Sequence, residues 1–496
     1  MNIADVLDRH RREQPDHPVI EHGAQVVTYA GFASRVDATA ANLRDAGIGA
    51  GDVVAIKLPD SIDHLVILYA LARAGAVRLS LPASQPAGEQ ERVLRRFDVR
   101  ALIAEASPGP LAGAGLLHAS DLCAIEESRA RSALAISSAG VDAASPVVIA
   151  HSSGTTGVPK YFVLTHAQVH ERSTSRLRYI GAGRAERFLS SISLSFLIGQ
   201  ANCNMTLNLG ATIVIPPPEL RTDFLSCVLD QGITITNLPA TQVRRLLTDD
   251  SFRKPRIHAV KLLMGSSMTT AQDRIRIRRQ LTPNLIEGYG VNELGVLTVA
   301  MPADQDAHPD AVGRVHDDVQ AQVVDDEDRP LPPGQTGHIR FRAPNQPLGY
   351  WNDPQATASA FRDGWFYPGD LAAIDAGRYV FLKGRSDDVI SNEGVKFYPV
   401  EVEQALQAHP AVVEAATLGW PHSAVGEVAV ACVVLKSGVT VGELQVFCAE
   451  RISRFKVPVT IIEVVAMPKT ASGKIEKYKL KPLVERYMAR RRDPQT

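Results

Sequence analysis

Two hydrophobic rhythms alternate through the first three quarters of the chain. Short strand-like runs at Val53 to Ile56 and Val77 to Leu81 flank Ile62 to Ala74, where apolar residues fill nearly every position. Strand-like runs on either side of a buried helix predict a βαβ unit. The rhythm returns at Val147 to Ala150, in a helical stretch after Thr165, and at Ala211 to Ile215, Ile233 to Asn237 and Ala259 to Met264. A largely parallel sheet covered by helices is the expected result. Between Asp318 and Phe381 the pattern changes to short runs (Val319 to Val324, His338 to Arg342, Tyr379 to Phe381) broken by Gly, Pro and Asp turns, which predicts a smaller antiparallel or mixed layer. Beyond Gly384 to Asp388 a compact α+β pattern begins. Its helices are expected around Val400 to Ala408 and Gly442 to Ile452, and its strands around Val412 to Leu418, Val428 to Leu435 and Thr460 to Val465. The expected fold class is therefore α/β. A large N-terminal domain of βα-layered sheets with a β-rich subdomain spans 1–384, and a small α+β C-terminal domain spans 385–496.

Composition narrows the function classes. With 53 basic and 54 acidic side chains and 45% hydrophobic residues, the chain has no global attraction to nucleic acid. The most apolar stretch, Leu65 to Ala72, is bounded by Asp63 and Arg73 and is far shorter than the roughly 20 residues of a membrane span. Asp5, Asp8, Glu13 and Asp16 make the first twenty residues unlike a cleavable targeting sequence. Cys123, Cys203, Cys227, Cys432 and Cys448 lie far apart with no CxxC pair, so reduced thiols and a cytoplasmic location are expected.

The strongest local signal is Ser152-Ser153-Gly154-Thr155-Thr156-Gly157-Val158-Pro159-Lys160, directly after the strand-like Val147 to Ala150. Glycines let backbone amides approach an anion, hydroxyls add donors and Lys160 adds positive charge, so the segment suits an oligophosphate. It is not a P-loop of the GxxxxGK[ST] type, which occurs nowhere in the chain, Gly473-Lys474-Ile475 included.

Taken with later segments, this loop resembles that of the adenylate-forming superfamily, which includes acyl- and aryl-CoA synthetases, peptide-synthetase adenylation domains and firefly luciferase. The resemblance runs nearly the whole length and is nearest to aryl- and benzoate-type acid:CoA ligases. Glu287-Gly288-Tyr289-Gly290-Val291-Asn292-Glu293 is similar to the family's aromatic-Gly-x-Thr-Glu motif. There the resemblance implies that Tyr289 stacks on adenine and that Glu293, with Thr156, holds magnesium. Gly265 belongs to the implied nucleotide site. Tyr367-Pro368-Gly369-Asp370 resembles the element whose aspartate binds both ribose hydroxyls, and Arg385 would reach the same ribose. In Gly384-Arg385-Ser386-Asp387-Asp388, Asp387 would be the hinge pivot that makes the small domain mobile. Pro468 to Ile475 resembles the C-terminal catalytic loop, with Lys474 as catalytic lysine. Attack of a carboxylate on the α-phosphorus builds charge on phosphoryl oxygens, which an ammonium between the reacting groups stabilises. In Ser391 to Lys396, Gly394 would let a thiol arm pass during the second half-reaction.

The resemblance implies ATP, Mg2+ and CoA, or a carrier-protein phosphopantetheine in place of CoA. The partners would be a small carboxylic acid and either CoA or a separate acyl carrier protein. Two departures stand out, because Tyr161 follows Lys160 where glycine is usual, and Asn292 replaces the usual Thr. An Asn amide still donates to a phosphate oxygen. The acyl pocket is expected around Phe196, Gly199, Gln200, Met264 and Gly290, with Gln200 and Asn202 as polar contacts and an apolar remainder that suits a hydrophobic or aromatic acid. His151 and His166 read as capping or core residues. Three functions stay open at this point: an acid:CoA ligase, an enzyme loading a carrier protein, and a non-catalytic nucleotide- or acyl-binding regulatory module.

Overall fold

The structure is a computed structural model. It describes the chain except residues 83–84, 106–114, 125–140, 153–158, 217–222, 240–241, 244–245, 248–256, 258–259, 266–270, 394, 437, 470–474 and 493–496. The helix Ile62–Ala74 has the limits its sequence predicts, because both ends are chemically fixed. The Ser61 hydroxyl accepts from the His64 amide at 3.2 Å, and Gly75 closes the helix at φ +78°. Every residue between them except Asp63 is buried, as expected of a helix that is apolar all round.

Two large sheets enclose such helices. The first runs in the order Gly115–His118, Ala101–Ala104, Val53–Lys57, Val77–Ser80, Pro146–Ser152, Lys160–Thr165, and is parallel except for the last pair. The second runs Leu285–Gly288, Lys261–Gly265, Ile235–Asn237, Arg187–Leu189, Thr212–Ile215, Pro18–His22, Gln25–Thr28, parallel except for its terminal hairpin. One core joins them, with Ile56 and Val148 of the first sheet, Ile20 and Ile213 of the second, and Leu65 to Ala72 of the helix in a single cluster.

The β-rich layer is antiparallel throughout: Gly337–Arg342 pairs with Gln320–Val324, Trp365–Phe366 and Asp370–Ile374, and Asp370–Ile374 pairs with Val380–Arg385. Phe341 and Ile339 anchor it on the main core. The last sheet is built on the long hairpin Val412–His422 and Gly426–Leu435, with Ile390–Asn392 on one side and Thr460–Glu463 added in parallel. It has its own core around Phe397, Leu406 and Leu444. One difference from expectation bears on the site. The segment ahead of the expected helix, Lys160–Thr165, is a strand paired antiparallel with Pro146–Ser152.

Candidate active site

In that strand pair Ser152 lies opposite Lys160 and His151 opposite Tyr161. Ser153, Gly154, Thr155, Thr156 and Gly157 fall outside the described residues. Lys160 and Tyr161 point to opposite faces, as successive strand residues must. The Lys160 ammonium stands 5.4 Å above the ring of Tyr350. Tyr350 in turn donates its hydroxyl to Glu293 Oε1 at 2.7 Å. Burial, followed by the Glu293 charge, pushes the Tyr350 phenol well above its ordinary value, so it stays a neutral donor.

The segment carrying Glu293 is held from two sides. The Asn292 amide donates to the His151 carbonyl at 2.9 Å, on the strand Pro146–Ser152. Arg172, from the helix His166–Ile180, donates Nη1 to the Asn292 carbonyl at 2.8 Å and Nη2 to the Glu293 carbonyl. That helix starts with a capping box between Thr165 and Gln168, which fixes its first turn. Arg172 is buried, which lowers its pKa to about 9, with the Glu293 charge opposing the shift.

A second cluster surrounds Asp370. Its Oδ2 accepts from the Tyr289 hydroxyl at 2.5 Å, and its Oδ1 accepts from Arg385 Nη1 at 3.2 Å. Arg385 also donates Nε to Asp387 Oδ1 at 3.2 Å and Nη1 to the Pro368 carbonyl at 2.5 Å. Asp370 and Arg385 are direct partners across adjacent strands. Gly369, at φ +80°, has no room for a side chain, since a Cβ there would come within 2.7 Å of the guanidinium. Tyr289 is buried, with its ring 6.0 Å from that of Phe341 and its hydroxyl on Asp370. Glu287 is fully buried and paired with Arg274.

Beside these clusters is a cavity of about 260 Å³. Met264, Gly265, Gly288, Gly290 and Asn292 line it, as do Leu197 and Ile198. Phe196, Gly199 and Gln200 do not. Phe196 is the residue preceding the helix Leu197–Leu209, and Gly199 packs so closely that a Cβ would lie 2.2 Å from the Ser193 carbonyl. The Gln200 carbonyl accepts from Arg78 Nε at 2.9 Å, and its amide donates to Ser80 Oγ and to the Leu194 carbonyl, both at 2.9 Å. Gln200 thus satisfies a buried arginine and has no polar atom left for a ligand. Asn202 is also occupied, by Arg176. Sequence reasoning missed Arg176, Tyr179 and His316, which line the cavity. Val169, Arg172, Arg176 and Tyr179 fall at helical three- and four-residue spacing, the signal that could have placed them on one face.

Two family descriptions match the chain, the AMP-binding enzyme over residues 7–351 and the AMP-binding enzyme C-terminal domain over 401–474. The chain belongs to the AMP-binding enzyme family. This AMP-binding enzyme is 28% identical to an indoleacetate–CoA ligase of Aromatoleum aromaticum, over 98% of the chain and 99% of that protein. It is also 28% identical to a fatty acid–[acyl-carrier-protein] ligase of Streptomyces coeruleorubidus, over 95% and 94%. Among solved structures, ATP-bound MatB from Rhodopseudomonas palustris is similar with a TM-score of 0.85 and 27% identity, covering 97% of this chain and 99% of that one.

Both departures of this AMP-binding enzyme have a structural account. Tyr161 faces away from Lys160 and packs edge-on against Phe97 at 4.8 Å, with the Arg96 guanidinium 5.1 Å from its ring. Asn292 spends one N–H on His151 and keeps a second for another acceptor. His166 is fully buried, accepts from the Ile3 amide at 3.2 Å and is lowered to about 4 by burial. Lys474 and Gly394 lie outside the described residues, though Lys469 and Ile475 bridge the two ends of the lysine loop. Among the described residues no group of three His, Cys, Asp or Glu could hold a metal alone. A single buried carboxylate, Glu293, fits a magnesium ion that arrives with ATP and takes most of its ligands from phosphate and water. No helix among the described residues is long and apolar enough to cross a membrane.

Proposed function

We propose that this chain activates a hydrophobic carboxylic acid with MgATP and passes the acyl group to CoA. The acid's carboxylate attacks the α-phosphorus, the bond to pyrophosphate breaks, and an acyl-adenylate forms. The CoA thiolate then attacks the acyl carbon and AMP leaves. One observation carries this reading. The single segment Glu287 to Glu293 is tied to the phosphate hairpin through Asn292 and to the Asp370–Arg385 pair through Tyr289, and it lines the cavity through Gly288, Gly290 and Asn292. Phosphates, ribose and acid would therefore meet on one piece of backbone, which is what in-line adenylation requires.

In this reading Ser152 to Gly157 and Lys160 cradle the phosphates, Glu293 carries the magnesium, Asp370 and Arg385 hold the ribose, and Lys474 stabilises charge at the reacting phosphorus. The small domain, taken from residue 385, turns about Asp387 to exchange the Lys474 loop for the Gly394 loop. The family's carrier-loading branch supplies a second reading, favoured by the acyl-carrier-protein ligase among the relatives. Five thiols without disulfides support a cytoplasmic location.

The test is pyrophosphate release with MgATP across benzoates, arylacetates, cinnamates and fatty acids, with and without CoA. Release that CoA accelerates, with an acyl-CoA product, supports the ligase. Release that CoA leaves unchanged, with acylation of a phosphopantetheinylated carrier protein, supports the second reading.

A further inference from the structure

The cavity wall is mostly apolar, with Leu197, Ile198, Met264 and Val296 on it, yet it takes in one guanidinium with little to do. Arg176 reaches it from the helix His166–Ile180 and is half-buried. Its hydrogen bond among the described residues is to a neutral group, Nη1 donating to Asn202 Oδ1 at 2.8 Å. Arg172, one turn earlier, is different. Its two terminal nitrogens go to the carbonyls of Asn292 and Glu293, the backbone that bears the metal-binding carboxylate. Four residues at 1.5 Å each put Arg176 about 6 Å further along the helix, away from the nucleotide end. Beyond it lies Tyr179, whose ring sits 4.1 Å from that of His316, both of them lining the same cavity.

A cation in an apolar wall is costly unless something supplies the opposite charge. No carboxylate among the described residues does so. Burial alone acts on Arg176, lowering it to about 10, and the one acidic lining residue among the described residues, Glu287, is paired with Arg274. A guanidinium is also the side chain best shaped to receive a carboxylate through two parallel hydrogen bonds.

We propose that Arg176 binds a second carboxylate of the substrate, carried at the end remote from the one that is adenylated, so the preferred acid is a dicarboxylic acid with an apolar spacer. Resting on the reading of the cavity as the acyl site, this makes Arg176 a specificity-determining residue. The Leu197, Ile198 and Val296 wall takes the spacer, and the Tyr179–His316 pair closes the far end.

The experiment compares matched acids, 3-phenylpropanoate with its para-carboxylated form and hexanoate with hexanedioate, in the full-length enzyme and its Arg176→Met and Arg176→Lys variants. Pyrophosphate release and acyl-CoA are both measured. The parent enzyme is expected to favour each diacid over its monoacid by about tenfold or more in kcat/KM, chiefly through KM, the size of a charge-assisted hydrogen bond. Arg176→Met should collapse that ratio by about tenfold to a hundredfold, and Arg176→Lys should restore part of it. A merely structural arginine would leave the ratio unchanged while lowering turnover of both acids, and that result overturns the inference. Activation of monoacids alone refutes it while leaving the ligase standing. Silence with both series in the parent enzyme removes the ligase reading and this inference together.

Discussion

Tyr350 donates its hydroxyl to the Glu293 carboxylate at 2.7 Å while the Lys160 ammonium lies over its ring at 5.4 Å. One side chain thus touches both Glu293 and Lys160, the residues proposed to carry magnesium and to meet the phosphates. Tyr350→Phe keeps the ring and removes the donor. A hydrogen bond to a charged group contributes about 1.5–3 kcal/mol, so we expect adenylation to fall about tenfold or more and the magnesium requirement to rise. Pyrophosphate release titrated against magnesium checks this, and an unchanged magnesium dependence would place Tyr350 outside the site.

Asn292 makes a neutral hydrogen bond to the His151 carbonyl. Asn292→Ala unties the Glu293 segment from the phosphate hairpin, at a cost of about 0.5–1.5 kcal/mol, and should raise the KM for ATP about threefold to tenfold. Asn292→Thr, with the residue usual in the family, should recover most of that loss. Steady-state kinetics with ATP varied separates the two outcomes.

The two loops of the small domain should divide the two half-reactions. Lys474→Ala is expected to slow acyl-adenylate formation by at least about 10² to 10³, read by ATP–pyrophosphate exchange. Gly394→Phe should leave exchange nearly intact and impair acyl-CoA formation. Equal damage to both steps in the Gly394 variant would contradict a rotating domain.

Acid should destabilise the fold through buried histidines. His166 and His316 are held neutral by burial, each lowered to about 4. Because the folded values lie below the unfolded value of about 6.5, the unfolded chain binds more protons between the two. Their contribution is therefore fully present above pH 6.5 and is lost as pH falls toward about 4. Urea midpoints measured across that window should drop, and His166→Asn should flatten the slope; a slope unchanged in the variant would assign the acid sensitivity elsewhere.

Much of this architecture was legible in the chain because the signals are local. The helix Ile62–Ala74 carries its own caps, and the parallel strands follow from short β-branched runs between helices. The strand Arg187–Leu189 is only three residues long and gives no period to read. The site divided along the same line. The proposed phosphate, ribose and hinge segments are contiguous motifs, whereas Gln200, expected in the acyl pocket, lies off the cavity wall because it pairs with Arg78, 122 residues away. The Tyr350–Glu293 bond spans 57 residues and left no trace in either local sequence. Pairings of that kind are decided by how sheets stack.

The helix His166–Ile180 begins directly after the strand Lys160–Thr165, grips the Glu293 backbone through Arg172 and lines the cavity through Arg176 and Tyr179. Such a strut cannot respond at one end alone. Under the proposed assignment of acid and magnesium sites, an acid that settles it would also settle Glu293, and whatever factor the acid adds to ATP affinity, ATP must return to the acid.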